Sequence, residues 1–202
     1  MTDQTGTAHM IQGEKTTFAL DRFNCPNSAL ALNQGWTQIP TGKYFDSPQI
    51  TISAWVLPQQ LGPWSRLIDF GNGGTLDNIN VPLAFGIYPK PSLYIFSAIP
   101  TIAAVSSRNL TIGQWQFLAV TFNGTNSIVY IDGTPMVNIY QAYTLPTVTR
   151  ANCYIGKSYN AAGGDGISNS TLDDLRFYNK ALTEQEILQL MNLPQKGKNY
   201  TC

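Results

Sequence analysis

The segment from residue 115 to residue 139 constrains the fold more than any other part of the sequence. It contains three runs rich in β-branched and aromatic residues, separated by the dipeptides Asn123-Gly124 and Asp132-Gly133. Asn-Gly and Asp-Gly reach positive φ at low cost, as tight hairpin turns require. The segment therefore predicts a meander of three antiparallel strands, with a spacing typical of sandwiches and barrels.

The rest of the chain has the same character. Val, Ile and Thr account for 44 of its 202 residues, and 17 Gly and 12 Pro separate the runs. Val, Ile and Thr favour strands, and Gly and Pro favour turns. Further strands are predicted over residues 50–57, 65–70, 81–87, 92–96, 153–156 and 171–178, with a turn at 88–91 that joins two of them in a hairpin. An all-β, two-sheet antiparallel jelly-roll sandwich is the fold that this pattern predicts.

Only one segment is predicted to be helical. Thr183 and Glu186 form a capping-box pattern, an apolar face follows, and Pro194 ends it. Residues 1–15, which include the lone His9, are interpreted as a flexible tail or a cloning remnant. Residues 16–202 are predicted to form a single domain.

Charge and hydropathy exclude several classes of function. Twelve basic and 12 acidic side chains give no net charge, so nothing indicates a nucleic-acid or anionic-membrane partner. No apolar run is long enough to insert into a bilayer. No apolar stretch follows Met1, so we expect either a cytosolic protein or an excised domain, and favour the excised domain.

An ordered set of motifs resembles the laminin-G-like and pentraxin-like domains of the concanavalin A-like lectin/glucanase superfamily. The similarity runs in order from about residue 18 to residue 193. The motifs are ITISAWV at 50–56, GQWQFLAVTF at 113–122, VYIDG at 129–133, IGKS at 155–158 and LDDLRFYNKALT at 172–183.

The resemblance implies an extracellular recognition module that binds glycans or proteins, often with calcium at the sandwich rim. We therefore expect a non-catalytic, lectin-like module of a larger secreted or cell-surface protein. The alternative is a protein–protein adhesion or structural module without glycan binding. Adhesion would be indicated by a flat apolar patch with Tyr140 and Tyr143 exposed.

The sequence lacks the residues of the usual enzymatic sites. Retaining glycosidases on such sheets commonly carry their carboxylates as E-x-D-x-E, which is absent here. The glutamates, Glu14, Glu184 and Glu186, fall in the tail and the helix, and His9 lies outside the predicted domain. No zinc motif occurs.

A calcium site would need several oxygen ligands. The candidates are Asp69, Asp77, Asn78 and Asp165, of which Asp77-Asn78 resembles the pair that begins the pentraxin calcium site. The position where laminin-type modules commonly place a ligand aspartate is Ile112, which cannot coordinate. The other interpretation of these residues is ordinary turn chemistry, because Asx side chains bind their own backbone.

Sugar binding requires aromatic rings beside amides or carboxylates, because sugar C–H faces stack while hydroxyls need fixed partners. The predicted ligand-binding residues share that character and are placed at the rim: Trp64, Tyr88, Tyr159, Asn160, Asn72 and Asn80. Asp173 and Asp174 are not included. Adjacent residues in a regular strand face opposite ways, so they are not expected to share one ligand.

Three cysteines allow at most one internal disulfide. Sandwich termini are often close together, which favours Cys25–Cys202; Cys25–Cys153 and free buried thiols remain alternatives. Glycosylation sequons occur at Asn109, Asn123, Asn169 and Asn199.

Overall fold

A computed structural model of the chain describes residues 5–6, 8–72, 78–96, 101–159 and 163–193. Within these ranges the chain forms twelve strands and one helix. The elements are β1 Gln12–Ala19, β2 Ala29–Ile39, β3 Ile50–Gln60, β4 Arg66–Gly71, β5 Asn78–Pro82, β6 Ser92–Phe96, β7 Thr101–Val105, β8 Gln116–Phe122, β9 Asn126–Ile131, β10 Thr134–Tyr140, β11 Asn152–Ile155, β12 Asn169–Tyr178 and α1 Glu184–Met191. In the described part of the chain, no helix has the length and apolar character needed to cross a membrane.

The strands form two antiparallel sheets that share β2. The front sheet has the order β10-β9-β8-β3-β12-β2, and the back sheet continues as β2-β11-β4-β5-β6-β7. The first part of β2 pairs with β12 through Leu30 to Asn33, whereas its last residues, Thr37 to Ile39, pair with β11. β1 pairs with the other edge of β2 along most of its length.

The chain bends between the sheets at Gln34 and Gly35. Gln34 has a φ of +52°, in the left-handed region. A Cβ on Gly35 would lie 2.3 Å from the carbonyl oxygen of Lys15, so only glycine fits where β1 crosses β2. Lys15 lies in a bulge of β1 and also has positive φ, which lets β1 follow the bend.

The main core lies between the two sheets. Side chains alternate along each strand, so every second residue faces the opposite sheet. One apolar cluster takes Ile52 and Val120 from the front sheet and Phe70, Ile79 and Ile95 from the back sheet. The all-β jelly-roll prediction is confirmed.

Helix α1 covers the outer face of the front sheet. Its buried Ile187 and Leu190 pack against Phe117, Ala119 and Tyr130 in a second apolar cluster. The capping box is present: the Thr183 hydroxyl accepts from the Glu186 amide, and the Glu186 carboxylate accepts from the Thr183 amide. The helix therefore covers the part of this face formed by β8 and β9, whereas Tyr140 on the edge strand β10 is 75% exposed.

Asp173 and Asp174 both bind one side chain, Arg22, contrary to the expectation for a regular strand. Asp174 has a φ of +51° and lies in a bulge of β12, which turns both carboxylates toward the same side. Both pair with Arg22, and the second distance, from Arg22 Nη2 to Asp174 Oδ2, is 2.8 Å. The guanidinium lies over the Trp55 ring, 5.1 Å from its centroid. Burial raises the pKa of Asp173, and the Arg22 charge opposes that rise.

Several predicted boundaries need correction. β1 begins at Gln12, inside the segment 1–15 interpreted as a tail, because residues 12–14 pair with β2. β5 spans residues 78–82 rather than 81–87, although it forms the predicted hairpin with β6. Pro58 lies within β3, at a register shift that accommodates its missing donor. β7 was not predicted.

Replacing Arg22 tests the importance of its ion pairs. Arg22→Met keeps an aliphatic chain over Trp55 but leaves the carboxylate of Asp173, whose side chain is 3% exposed, without its counter-charge. The expected loss in the free energy of unfolding is about 3 kcal/mol, measured by urea titration. The loss should be greater at pH 8 than at pH 5, because protonation of Asp173 relieves the uncompensated charge.

Arg108→Met is the matched control. Arg108 also binds an aspartate, Asp132, at 2.6 Å, but both side chains are more than 40% exposed. Its loss should cost less than about 1 kcal/mol. Equal effects of the two substitutions would contradict the role assigned to Arg22.

Candidate functional site

The outer face of the back sheet carries a row of polar and aromatic side chains. Tyr154 of β11 pairs with Asp69 of β4, Asp69 pairs with Asn80 of β5, and Asn80 pairs with Tyr94 of β6. Residues directly opposite each other point to the same face. The row therefore places a carboxylate and an amide side by side between two tyrosines, over about 14 Å.

A bulge brings an arginine onto the same face. In a regular strand, residues three apart point to opposite faces, but the register between β4 and β5 shifts between Arg66 and Ile68. Arg66 consequently joins Asp69, with 3.6 Å between Arg66 Nε and Asp69 Oδ2. Its two terminal nitrogens donate to the Trp64 carbonyl oxygen at 2.7 Å and to Asp165 Oδ2 at 3.0 Å. The guanidinium is thus held by two carboxylates and a carbonyl.

Asp69 is fully buried, and its two oxygens differ. Oδ2 faces Arg66 and accepts the Tyr159 backbone N–H at 3.4 Å. Oδ1 has no hydrogen-bond partner, and neither has the Oδ1 of the neighbouring Asn80, which is 4% exposed. Burial raises the pKa of Asp69 from 3.8 to about 7, against the lowering effect of Arg66 and the hydrogen bonds to Tyr159 and Ser158.

Aromatic rings surround this carboxylate–amide pair. The Trp64 ring contacts the rings of Phe85 and Tyr94, with centroids 4.7 and 6.3 Å apart. Tyr159 is half-buried, and its own backbone N–H donates to Asp69 Oδ2. We name Asp69, Asn80, Tyr94, Tyr154 and the half-buried ring of Trp64 the back-sheet site.

A lysine lies at the Tyr154 end of the row. Lys157 Nζ is 3.8 Å from the centroid of the Trp36 ring and 4.5 Å from that of Tyr154, and the two rings meet edge to face. The ammonium therefore forms a cation–π contact with both rings.

The structure brings together three of the six predicted ligand-binding residues. Trp64, Asn80 and Tyr159 lie around the outer face of the back sheet rather than at the rim. Asn72 follows β4 and donates its backbone N–H to Asn78 Oδ1 at 2.6 Å, so it supports a turn. Tyr88 is 59% exposed. It lies in a turn in which the Gly86 carbonyl oxygen accepts the Trp64 backbone N–H. Asn160 lies outside the described residues.

Tyr94, Tyr154 and Arg66 were not predicted. A signal for the tyrosines exists in the sequence, because each lies at an alternate position of a predicted strand, opposite to the apolar face. No comparable signal marks Arg66, since its placement depends on the bulge.

The adhesion pattern is present only in part: Tyr140 is 75% exposed, whereas Tyr143 packs against the main core.

The described calcium candidates do not fit a calcium ion. Asp69 and Asp165 both bind Arg66, whose positive charge occupies the space between the carboxylates. The Asn78 side-chain oxygen already accepts the Asn72 amide. Asp77 lies outside the described residues. Among the residues that the structure describes, no group of three His, Cys, Asp or Glu side chains is arranged to hold a metal.

The cysteines and sequons are partly described. Cys25 is disulfide-bonded, and Cys153 is a free thiol buried in the core. The alternative pair Cys25–Cys153 is therefore wrong, and Cys25–Cys202 stays a prediction because Cys202 lies outside the described residues. Asn109 and Asn123 are exposed and Asn169 is half-buried, whereas Asn199 is not described. Glycosylation at these positions stays a prediction.

Comparison with protein families identifies the chain. A model of the concanavalin A-like lectin/glucanases superfamily matches residues 32–188, more than three quarters of the sequence. The chain belongs to this superfamily. No curated protein matches it.

Solved structures of the superfamily's fold resemble the chain at low identity. Domain 4 of AbnA, a GH43 extracellular arabinanase from Geobacillus stearothermophilus, solved in complex with arabinotriose, has a TM-score of 0.77 and 22% identity, with 94% of this chain and 92% of that one covered. A pentraxin from Limulus polyphemus has a TM-score of 0.58 and 15% identity, with 77% and 74% covered.

A structure of botulinum neurotoxin type C, whose cell entry depends on two ganglioside molecules, has a TM-score of 0.67 and 14% identity. The alignment covers 95% of this chain and 48% of the toxin structure, so this chain spans about half of that structure. All these likenesses concern the fold.

The titration of Asp69 makes stability depend on pH. Its pKa is raised on folding, so the folded protein holds the proton more tightly than the unfolded chain. The resulting stabilisation is complete below about pH 4 and is lost as pH rises through about 7. Asp69→Asn keeps the shape without the charge. Its melting temperature should lie several degrees above that of the parent at pH 8 and near it at pH 5.

Asp165→Asn serves as the control, because it removes the other carboxylate that binds Arg66. A pH-dependent gain in melting temperature that occurs in Asp69→Asn and not in Asp165→Asn would assign the effect to the buried carboxyl. The assignment fails if Asp69→Asn lowers the melting temperature at both pH values.

Proposed function

We propose that the chain is a non-catalytic, extracellular carbohydrate-binding module whose ligand binds at the back-sheet site. The observation that carries the proposal is the pair of buried acceptors, Asp69 Oδ1 and Asn80 Oδ1, which lack hydrogen-bond partners and lie between two tyrosines. Buried polar atoms are nearly always paired, so an unpaired couple at a surface-facing position favours a ligand that supplies donors.

Sugars have the chemistry that this arrangement requires. The aliphatic faces of their rings pack on aromatic side chains, and their hydroxyls donate hydrogen bonds to carboxylates and amides. Tyr94 and Tyr154 supply rings at the two ends of the row, and Trp64 supplies a third beside Tyr94. The length of the row favours an oligosaccharide over a single sugar ring.

Ligand access depends on the surrounding side chains. Asp69 and Asn80 are covered, whereas Trp64, Tyr94, Tyr154 and Tyr159 are half-buried. In this proposal the aromatic rings meet the ligand first, and rotation of one or more rings about χ1 opens the floor. The strands keep their positions, because the floor residues belong to central strands of the back sheet.

The charges of the site support binding without catalysis. Glycoside hydrolysis uses one protonated and one ionised carboxyl that flank the scissile bond. Here the pKa of Asp69 is raised to about 7, but Asp69 and Asp165 both contact the guanidinium of Arg66, so an arginine rather than a glycosidic bond lies between the two carboxyls. Family membership and the arabinotriose-bound neighbour, itself a domain of an extracellular enzyme, favour carbohydrate binding and an extracellular location.

A glycan array of the purified protein, run with calcium and with EDTA, tests the function. We expect binding to a set of oligosaccharides that is the same in both conditions, because the described calcium candidates are occupied by Arg66 and by a backbone amide. Binding lost in EDTA would support the calcium-assisted site of the sequence prediction. No binding by folded protein would contradict glycan recognition and favour a protein partner.

Substitution of Tyr94 tests the location of the site. Tyr94→Ala should weaken the best array ligand about fivefold to tenfold, since an aromatic contact contributes about 1 kcal/mol. Tyr140→Ala is the control, because Tyr140 is exposed on β10 of the front sheet. Calorimetric titration of both variants gives the dissociation constants. A loss of affinity in Tyr140→Ala alone would place the ligand elsewhere.

A further inference from the structure

We propose that the back-sheet site selects neutral glycans over acidic ones, because two sugar hydroxyls donate to Asp69 Oδ1 and Asn80 Oδ1. This inference rests on the proposed function and concerns the class of glycan. Among structures with this fold, the neurotoxin depends on gangliosides, and gangliosides carry a carboxylated sugar. The fold alone therefore does not decide between neutral and acidic ligands.

Most of the unused hydrogen-bonding capacity at the floor of the site is acceptor capacity. The buried Arg66 Nε also lacks a hydrogen bond, but it faces Asp69 Oδ2 at 3.6 Å. Asp69 Oδ1 and Asn80 Oδ1 have no partner, and both atoms are buried on adjacent strands. A hydroxyl can donate to such an oxygen, whereas a carboxylate, sulfate or phosphate has only acceptors to offer. An acidic group at this point would leave all the facing oxygens unsatisfied.

Electrostatics at the floor act in the same direction. The nearest cation, Arg66, is 3.6 Å from Asp69 Oδ2 and 3.0 Å from Asp165 Oδ2, and its other terminal nitrogen binds a carbonyl. Its charge is therefore already matched within the protein. A ligand carboxylate would have to compete with two carboxylates for one guanidinium.

Lys157 is the charged group that offers a rival explanation. It lies at the Tyr154 end of the row, with its ammonium over the rings of Tyr154 and Trp36. An acidic sugar would reach this ammonium before it reached Arg66. The experiment must therefore separate recognition by Asp69 and Asn80 from attraction by Lys157.

The test compares oligosaccharides that differ by their acidic groups. The probes are lactose against 3′-sialyllactose, and galactotriose against trigalacturonate, together with arabinotriose as a further neutral probe. Calorimetric titrations are made at pH 8, above the raised pKa of Asp69, in 50 mM and 500 mM NaCl. In each pair we expect the neutral sugar to bind at least about tenfold more tightly, with an affinity that salt leaves unchanged because no net charge is matched.

Two variants assign the selectivity to residues. At pH 8 most of Asp69 is ionised, since its pKa is raised to about 7, so Asp69→Asn replaces an acceptor-only carboxylate by an amide that can also donate. It should weaken the neutral probes about tenfold and reduce the ratio between neutral and acidic probes. Lys157→Gln should leave the affinity for the neutral probes and the ratio between neutral and acidic probes unchanged. Melting temperatures measured at the same pH confirm that the variants are folded.

The outcomes separate this inference from the proposed function. Tighter binding of the acidic probes, lost in Lys157→Gln or at high salt, would overturn the selectivity and leave glycan binding intact. Equal binding of the neutral and the acidic probe in each pair would also overturn the selectivity and leave glycan binding intact. Failure of the folded protein to bind any probe or any array glycan would overturn both. A neutral preference that Asp69→Asn leaves unchanged would refute the assignment to Asp69.

Discussion

The bend of β2 is the constraint on which the rest of the structure depends. One strand pairs with β12 in the front sheet and with β11 in the back sheet, so its change of direction at Gln34 and Gly35 sets how the two sheets face each other. No side chain fits at Gly35, where β1 crosses within van der Waals distance. The same bend fixes β11 beside β4, and that neighbour relation puts Tyr154 next to Asp69.

The two sheets differ in what covers their outer faces. The inner faces form the main core, and α1 packs on the β8 and β9 part of the front sheet's outer face with Ile187 and Leu190. The outer face of the back sheet has no helix over it in the described part of the chain, and it carries polar and aromatic side chains in place of an apolar patch. The fold thus places polar residues on this face, with Asp69 and Asn80 buried beneath their neighbours, and in the proposed function this is the face that meets the ligand.

Local signals in the sequence predicted much of the fold and part of the site. The Asn-Gly and Asp-Gly turns predicted the β8–β10 meander, and the capping box predicted α1, because both depend on residues close in sequence. The bulges in β4 and β12 were not predictable, since each reflects how a strand fits its neighbours. Those two bulges place Arg66 beside Asp69 and turn Asp174 toward Arg22. Around the candidate site, residue type alone predicted Trp64, Asn80 and Tyr159, whereas Tyr94 and Tyr154 required the strand register.

The buried Cys153 has a consequence for how such a domain tolerates an oxidising environment. Burial raises the pKa of its thiol to about 12, so the nucleophilic thiolate is almost absent at neutral pH once the sheets have closed. The folded domain can therefore meet oxidants or glutathione without disulfide exchange at this position. During folding, before β11 is inserted between β2 and β4, the same sulfur is an ordinary reactive thiol. Closure of the sandwich is what ends the period in which a wrong disulfide can form.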